Sequence, residues 1–335
     1  MQQMQRKLGR SRDAIKGIAI LWVVFFHAVL DLRGPVYDLQ KVGYGGVDIF
    51  FFLSGFGLYY SLSKNADLSA FLRRRLARLL PAYLPFCILW LCIMIPLYGF
   101  GVTDAVRTAV SNLSMMAFWC KAPAQINWYT SALLASYLLA PVLFAIMHGS
   151  RSPLRTGLLL AASSFLIGLG WIDHYAYMAV SRLPVFILGM VVCTPEMSKI
   201  GKKTTAVLVA FGLLGGAALL AVAFRYFTTM RVSHALAWHP FILFAPALCM
   251  TLAWAFDRAG KVGWLVKPFA FLGNCSFEIF LFNVWFEVLG KTFGLGGTPK
   301  RWAALSLASI VLGIGYHYAV AFVQQRFCGR QKQNG

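Results

Sequence analysis

The sequence predicts an all-α polytopic integral membrane protein with about ten transmembrane helices in a single bundle, and three observations carry that prediction. Of the 335 residues, 59% are hydrophobic and 13% charged, against roughly 45–50% and about 25% in soluble globular chains. The apolar residues fall into runs of about twenty, the length that a bilayer core of about 30 Å demands of a helix. The cations lie in short clusters between those runs. Such a composition is too apolar for a disordered chain. The formal net charge of +20 would suit nucleic acid only if the cations gathered on one solvated patch. Here they are dispersed, so the expected partner is the lipid bilayer and no nucleic acid is expected.

Ten segments read as spans: 14–31, 45–62, 79–98, 129–147, 156–173, 178–194, 204–224, 238–256, 268–290 and 302–322. The first has the basic start and apolar stretch of a signal peptide. It contains His27, however, and no small-x-small cleavage site follows, so it reads as a true span. The others are continuous Leu/Ala/Phe-rich runs, unlike the ten-residue alternation of an outer-membrane barrel. Segment 103–119 carries Asp104, Arg107, Ser111, Asn112 and Ser114. It is too polar for a lipid-exposed helix and reads as an amphipathic or re-entrant element on the outer side.

Orientation follows from Lys and Arg. Placing the N-terminus inside puts Arg6, Lys7, Arg10, Arg12 and Lys16 on the inner face, followed by Lys64, Arg73, Arg74, Arg75 and Arg78. Arg151, Arg155, Lys199, Lys202, Lys203, Arg258, Lys261, Lys267, Arg326, Arg330 and Lys332 complete the inner set. That is 21 of the 31 Lys and Arg, so both termini are expected to be cytoplasmic. The seven cysteines are scattered, without the spacing of a metal site or a disulfide framework.

An ionisable residue inside a span costs several kcal/mol and points to function. The short list is His27, Asp48, Arg182, Glu278, Glu287 and His317. His27 lies near the outer end of the first span and Asp48 near the outer start of the second, at similar depth. A carboxylate beside an imidazole would fix its tautomer and raise its basicity; equally, such a pair could simply hold two helices together. Lys16 lies eleven residues before His27, nearly three whole turns or about 16 Å along the axis, with Arg12 one turn further in. The face so formed would suit a long donor with an anionic head, and ordinary positive-inside anchoring explains the same cations. Arg75 and Arg78 share a helical face just before the third span. Arginine forks suit phosphate or anionic lipid headgroups. Glu278 falls midway through the ninth span and must pair or stay protonated, and no partner is evident for His317. Trp119, Trp128 and Tyr129 read as an outer aromatic belt.

Three stretches resemble the acyltransferase family 3 membrane proteins. Ile15-Lys16-Gly17-Ile18-Ala19-Ile20, with Phe26-His27 following, is similar to that family's "LRG-hydrophobic-H" opening. Gly45-Gly46-Val47-Asp48-Ile49-Phe50-Phe51-Phe52-Leu53-Ser54-Gly55-Phe56 resembles its GVD-FF-LSGF motif. Arg75-Leu76-Ala77-Arg78-Leu79-Leu80-Pro81-Ala82-Tyr83 resembles its RxxR-x-x-P-x-Y segment. Weaker echoes are Trp128-Tyr129, the run Arg182 to Gly189, and Leu272-Gly273 with Ser276 to Leu281. The resemblance runs from about residue 12 to 320.

It implies one membrane acyltransferase domain over 1–335, with core motifs in 12–322 and short cytoplasmic tails at 1–11 and 323–335. It implies transfer of an acyl group, often acetyl, from cytosolic acyl-CoA to a hydroxyl of a surface glycan, peptidoglycan or lipid acceptor, with no permanently bound cofactor. Residue by residue, it implies that His27 is the essential histidine and that Asp48 and Ser54 belong to the second motif. Arg75 and Arg78 with Lys16 and Arg12 would meet the donor phosphates. Trp128, Arg182, Glu278 and Asn283 fall in the remaining motif positions. Lys16 replaces the usual arginine, and Asn283 stands where many members carry a histidine. On this reading His27, oriented by Asp48, is a general base or a transient acyl carrier in a multi-pass protein of the cytoplasmic membrane. The rival reading is a proton-coupled exporter of a glycan or lipid intermediate, with His27 and Asp48 as the relay.

Overall fold

A computed structural model describes residues 1–171, 174–226, 238–260 and 263–331; His234, Lys261 and Lys332 lie outside them. Among the described residues there is no strand. Helices occupy Gln2–His27, Gly34–Lys41, Gly45–Lys64, Leu68–Tyr98, Val102–Leu113, Trp128–His148, Pro153–Leu169, Tyr177–Val180, Leu183–Val191, Pro195–Lys199, Lys202–Tyr226, Phe241–Ala259, Gly263–Asn274, Ser276–Thr292 and Pro299–Gln331.

Helix is present in each of the ten expected segments, but among the described residues six helices are long and apolar enough to cross a bilayer. These are Gly45–Lys64, Leu68–Tyr98, Trp128–His148, Lys202–Arg225, Phe241–Ala259 and Pro299–Arg326. The pair Gly263–Asn274 and Ser276–Thr292, interrupted at Cys275, is a seventh if taken as one span. The other differences have local causes. Segment 178–194 is two helices parted at Ser181–Arg182, where Arg182 Nη1 donates to the Met178 carbonyl at 3.1 Å and Pro184 starts the second helix. The Arg73–Arg78 run, expected in a loop, is helical because the fourth helix begins at Leu68; Leu, Ala and Arg are good helix formers. Residues 1–11, expected as a tail, continue the first helix. Leu8 is fully buried there and Gln5 Nε2 donates to the Val192 carbonyl at 2.6 Å.

The chain divides into two compact units. One comprises Met1–Ala19, Tyr44–Phe71 and Ala132–Gly273; the other comprises Ile20–Gly43, Leu72–Ser131 and Asn274–Gly335. In the first unit Gly45–Lys64 crosses Leu183–Val191 at backbone contact. A Cβ on Gly55 would strike the Phe186 carbonyl oxygen, and one on Gly189 the Phe52 carbonyl oxygen. Small residues at such crossings let apolar helices approach closely where no hydrophobic effect drives them together. This explains physically why the LSGF stretch and the Arg182–Gly189 stretch each need a glycine.

In the second unit, Ser276–Thr292 and Pro299–Gln331 form an antiparallel hairpin. The Gly313 position sits against the Ile279 backbone, and Gly290 against the Trp302 ring. The 103–119 element is a helix from Val102 to Leu113 followed by turns. Its amphipathicity is inverted: Val102, Val106, Val110 and Leu113 face outward, while Thr108, Ser111 and Asn112 are buried. A water-soluble helix does the opposite. Asn112 Nδ2 donates to the Thr108 and Ala124 carbonyls at 2.9 and 2.8 Å, and its Oδ1 accepts from Ile126 N at 3.0 Å. That one side chain pins the following turns. Apolar residues such as Phe211, Leu214, Leu307 and Val311 are likewise exposed, as lipid-facing positions are.

Candidate active site

His27 closes the first helix, and its position is set by the segment after it. Gln40 Nε2 donates to the Phe25 carbonyl at 2.9 Å and the Ala28 carbonyl at 2.5 Å. Both acceptors are helix-end carbonyls without an intrahelical partner. Trp22 Nε1 donates to the Leu39 carbonyl at 2.8 Å, which ties helix Gly34–Lys41 to the same helix end.

The imidazole so held meets helix Ser276–Thr292. Its Nδ1 lies 2.6 Å from Asn283 Oδ1, and its Nε2 lies 3.4 Å from Glu287 Oε2. Asn283, 3% exposed, also donates from Nδ2 to Ser309 Oγ at 3.5 Å, and Ser309 donates to the Ser306 carbonyl at 2.7 Å. The second carboxylate oxygen of Glu287 accepts from Lys291 Nζ at 2.7 Å. Asn283, Glu287 and Lys291 recur every four residues, so one helical face presents an amide, a carboxylate and an ammonium in succession. The imidazole spans the first two. This arrangement can hold, take up and release a proton at Nε2.

Asp48 has a different companion. The expectation that it orients His27 meets a structure in which the His27 nitrogens face Asn283 and Glu287, and Asp48 Oδ1 lies 3.7 Å from Arg182 Nε. Asp48 and Arg182 are 1% and 2% exposed. Arg182 Nη1 also donates to Ser181 Oγ at 2.8 Å, and its guanidinium lies 4.2 Å from the centre of the Trp238 ring. Tyr177 stacks on Trp238 at 5.6 Å and hydrogen-bonds His239 through its hydroxyl. The physical reason is charge. A carboxylate removed from water takes the strongest partner within reach, and a guanidinium satisfies it better than an imidazole. Ser54 is half-buried beside Gly55 at the helix crossing.

Glu278, expected to pair or stay protonated, has a partner in His317, whose Nδ1 lies 3.1 Å from its Oε1. Lys16 Nζ is 2.7 Å from Asp13 Oδ1, and Arg12 Nε is 4.0 Å from the same oxygen. Arg75 is half-buried and Arg78 exposed on helix Leu68–Tyr98. Trp128 begins helix Trp128–His148, with its ring 6.5 Å from Phe118 and 6.3 Å from Tyr129. Asn127 Oδ1 accepts from Thr130 N at 2.8 Å and so caps that helix.

Sequence reasoning named His27, Asn283 and Glu287 separately without bringing them together. The four-residue recurrence of Asn283, Glu287 and Lys291 was the available signal. Ser309 and Gln40 carried none, since a serine in a span and a glutamine in a loop are ordinary. A family model described as an acyltransferase domain, that of acyltransferase family 3, matches residues 11–322. No curated protein and no solved structure matches the chain.

Proposed function

The chain belongs to acyltransferase family 3 and is an acyltransferase, and on that premise we propose that it moves an acyl group, acetyl first among them, from cytosolic acyl-CoA to a hydroxyl of an extracytoplasmic glycan, peptidoglycan or lipid-linked acceptor. The observation that carries the proposal is the His27 imidazole, held at Nδ1 by a buried amide with its Nε2 turned to a carboxylate. An imidazole oriented through one nitrogen is equipped for general-base or nucleophilic work at the other.

In the base route the acceptor hydroxyl gives its proton to Nε2 as its oxygen attacks the thioester carbonyl. The carbon–sulfur bond breaks, and the proton passes from Nε2 to the leaving thiolate. Acyl-CoA is a co-substrate rather than a resident cofactor. Its phosphates are assigned to Arg75 and Arg78 on one helix and to Lys16 and Arg12 on another, through charge-assisted hydrogen bonds. Asp48 pairs with Arg182 within the first unit. The cation distribution supports a protein of the cytoplasmic membrane with both termini on the cytosolic side.

The test is transfer of label from [14C]acetyl-CoA to the membrane material of cells making the protein, without an imposed ion gradient. His27→Ala should lose transfer by about 10²- to 10⁴-fold, the range for a positioned acid–base group, while eluting from detergent as a folded protein. Transfer at the unsubstituted rate would overturn the proposal.

A further inference from the structure

The hydrogen-bond chain around His27 has one consistent polarity, and that polarity dictates where the imidazole carries its proton. A backbone carbonyl only accepts, so the Ser306 carbonyl takes the single hydroxyl proton of Ser309. Ser309 Oγ can then only accept from Asn283, and only the amide nitrogen Nδ2 donates. The amide oxygen is thereby turned to His27, and an amide oxygen accepts without ever taking the proton away. We infer that Asn283 and Ser309 are positioning residues that lock the proton of His27 on Nδ1, so that Nε2 is the reacting nitrogen throughout and Glu287 is the counter-charge to the imidazolium formed there. This rests on the acyltransferase reading and deepens it, because it names the reacting atom and the residues that determine it.

The fold supports the lock through register. Ile279 faces Gly313, Asn283 faces Ser309 and Gly290 faces Trp302 in the antiparallel hairpin. Each advance along the first helix is matched by an equal retreat along the second. The backbone contact at Ile279 and Gly313 lies four residues from Asn283 and four from Ser309. A one-residue slip would turn Ser309 away by about 100° and leave the amide free to flip.

The chemistry follows from what Asn283 lacks. A histidine in its place could accept the Nδ1 proton and pass it on; an amide cannot. The proton taken from the acceptor hydroxyl therefore enters and leaves at Nε2, and the thiol product receives it there. While it is held, the ring is a cation facing Glu287, at 3.4 Å, with Lys291 on the far carboxylate oxygen. Glu287 thus faces the ring and Lys291 backs Glu287.

The direct measurement is 15N NMR of histidine-labelled protein in lipid, with the His27 signal assigned by its loss in His27→Gln. In the neutral ring Nδ1 should be protonated and Nε2 bare; the opposite tautomer overturns the inference. Kinetics provide the second arm, using [14C]acetyl-CoA and membranes that contain the native acceptor. Asn283→Asp keeps an acceptor facing Nδ1 and should retain transfer within about tenfold, with its acid limb displaced by the added charge. Asn283→Leu should fall by about 10²-fold or more, as when an imidazole loses its tautomer control. Ser309→Ala, which frees the amide to flip, should lower transfer by about tenfold, and added to Asn283→Leu it should lower transfer no further than Asn283→Leu does alone. If Asn283→Leu does not fold, Ser309→Ala and the NMR tautomer still decide. Equal losses in the Asp and Leu variants with one shared pH profile would overturn the lock while leaving His27 as the base. Unchanged transfer by His27→Ala would instead remove the reading beneath it.

Discussion

Two of the polar clusters inside this protein are built to opposite ends. The Asp48–Arg182 cluster is closed. Both side chains are all but inaccessible, Trp238 covers the guanidinium, and Arg182 lies at the break between helices Tyr177–Val180 and Leu183–Val191. The His27 cluster is open at one end. Its amide side is buried, but the His27 and Glu287 side chains are 16% and 23% exposed. A closed pair neutralises a cost, because an ion stripped of water must be matched. A half-open imidazole keeps a nitrogen available for a reactant. Polar residues in a membrane protein thus divide by what surrounds them rather than by their type.

The comparison breaks most sharply if the two clusters respond alike. His27→Ala should lower label transfer by about 10²- to 10⁴-fold with a smaller change in thermal unfolding than Arg182→Ala, since it strands an amide rather than a buried ion. Arg182→Ala should do the reverse first: it strands the Asp48 carboxylate and should cost about 3–5 kcal/mol of stability, seen as early unfolding in detergent. The double variant Asp48→Leu/Arg182→Met should recover most of that loss, since apolar residues of similar volume replace buried ion pairs well. A double variant as unstable as Arg182→Ala would give Asp48 a role beyond pairing.

Smaller effects sharpen the same division. Gly55→Val forces side-chain atoms into the Phe186 carbonyl and should cost about 1–3 kcal/mol by overpacking, read in the same unfolding assay. Arg75→Ala should raise the KM for acetyl-CoA at near-constant kcat; an unchanged KM would assign the arginine to lipid headgroups. Lys291→Ala removes an exposed i,i+4 partner of Glu287 and should cost no more than about 0.5 kcal/mol, which places the smallest effect at the outer edge of the open cluster.

Much of the fold was legible because membrane solvation leaves blunt marks. Runs of twenty apolar residues located helix in all ten segments. Two of the segments that are not single span-long helices are broken at particular residues. Arg182 turns its side chain back on the preceding turn, and Cys275 interrupts the ninth segment; neither feature has a signature in hydropathy. His27 was legible as a functional residue because a histidine in an apolar run is conspicuous. Its partner was not. Asp48 is near in sequence and of the right chemistry, whereas Asn283 lies 256 positions away and is uncharged. Glu278 and His317 were both noticed, yet their pairing depends on the register of the terminal hairpin.

By itself the sequence determined the solvent: an excess of apolar residues, a shortage of charge and clustered cations leave a lipid-embedded helical protein as the consistent outcome. It also determined the family, since glycines, aspartate and arginines recur in a set order. Tertiary structure alone decided which polar atoms face one another. Hydropathy is a sum over neighbours along the chain, but a hydrogen bond of 2.6 Å between Nδ1 and Oδ1 needs two distant helices in one register. That register is set by backbone contact at a few glycines, where a shift of one residue would point every polar side chain elsewhere.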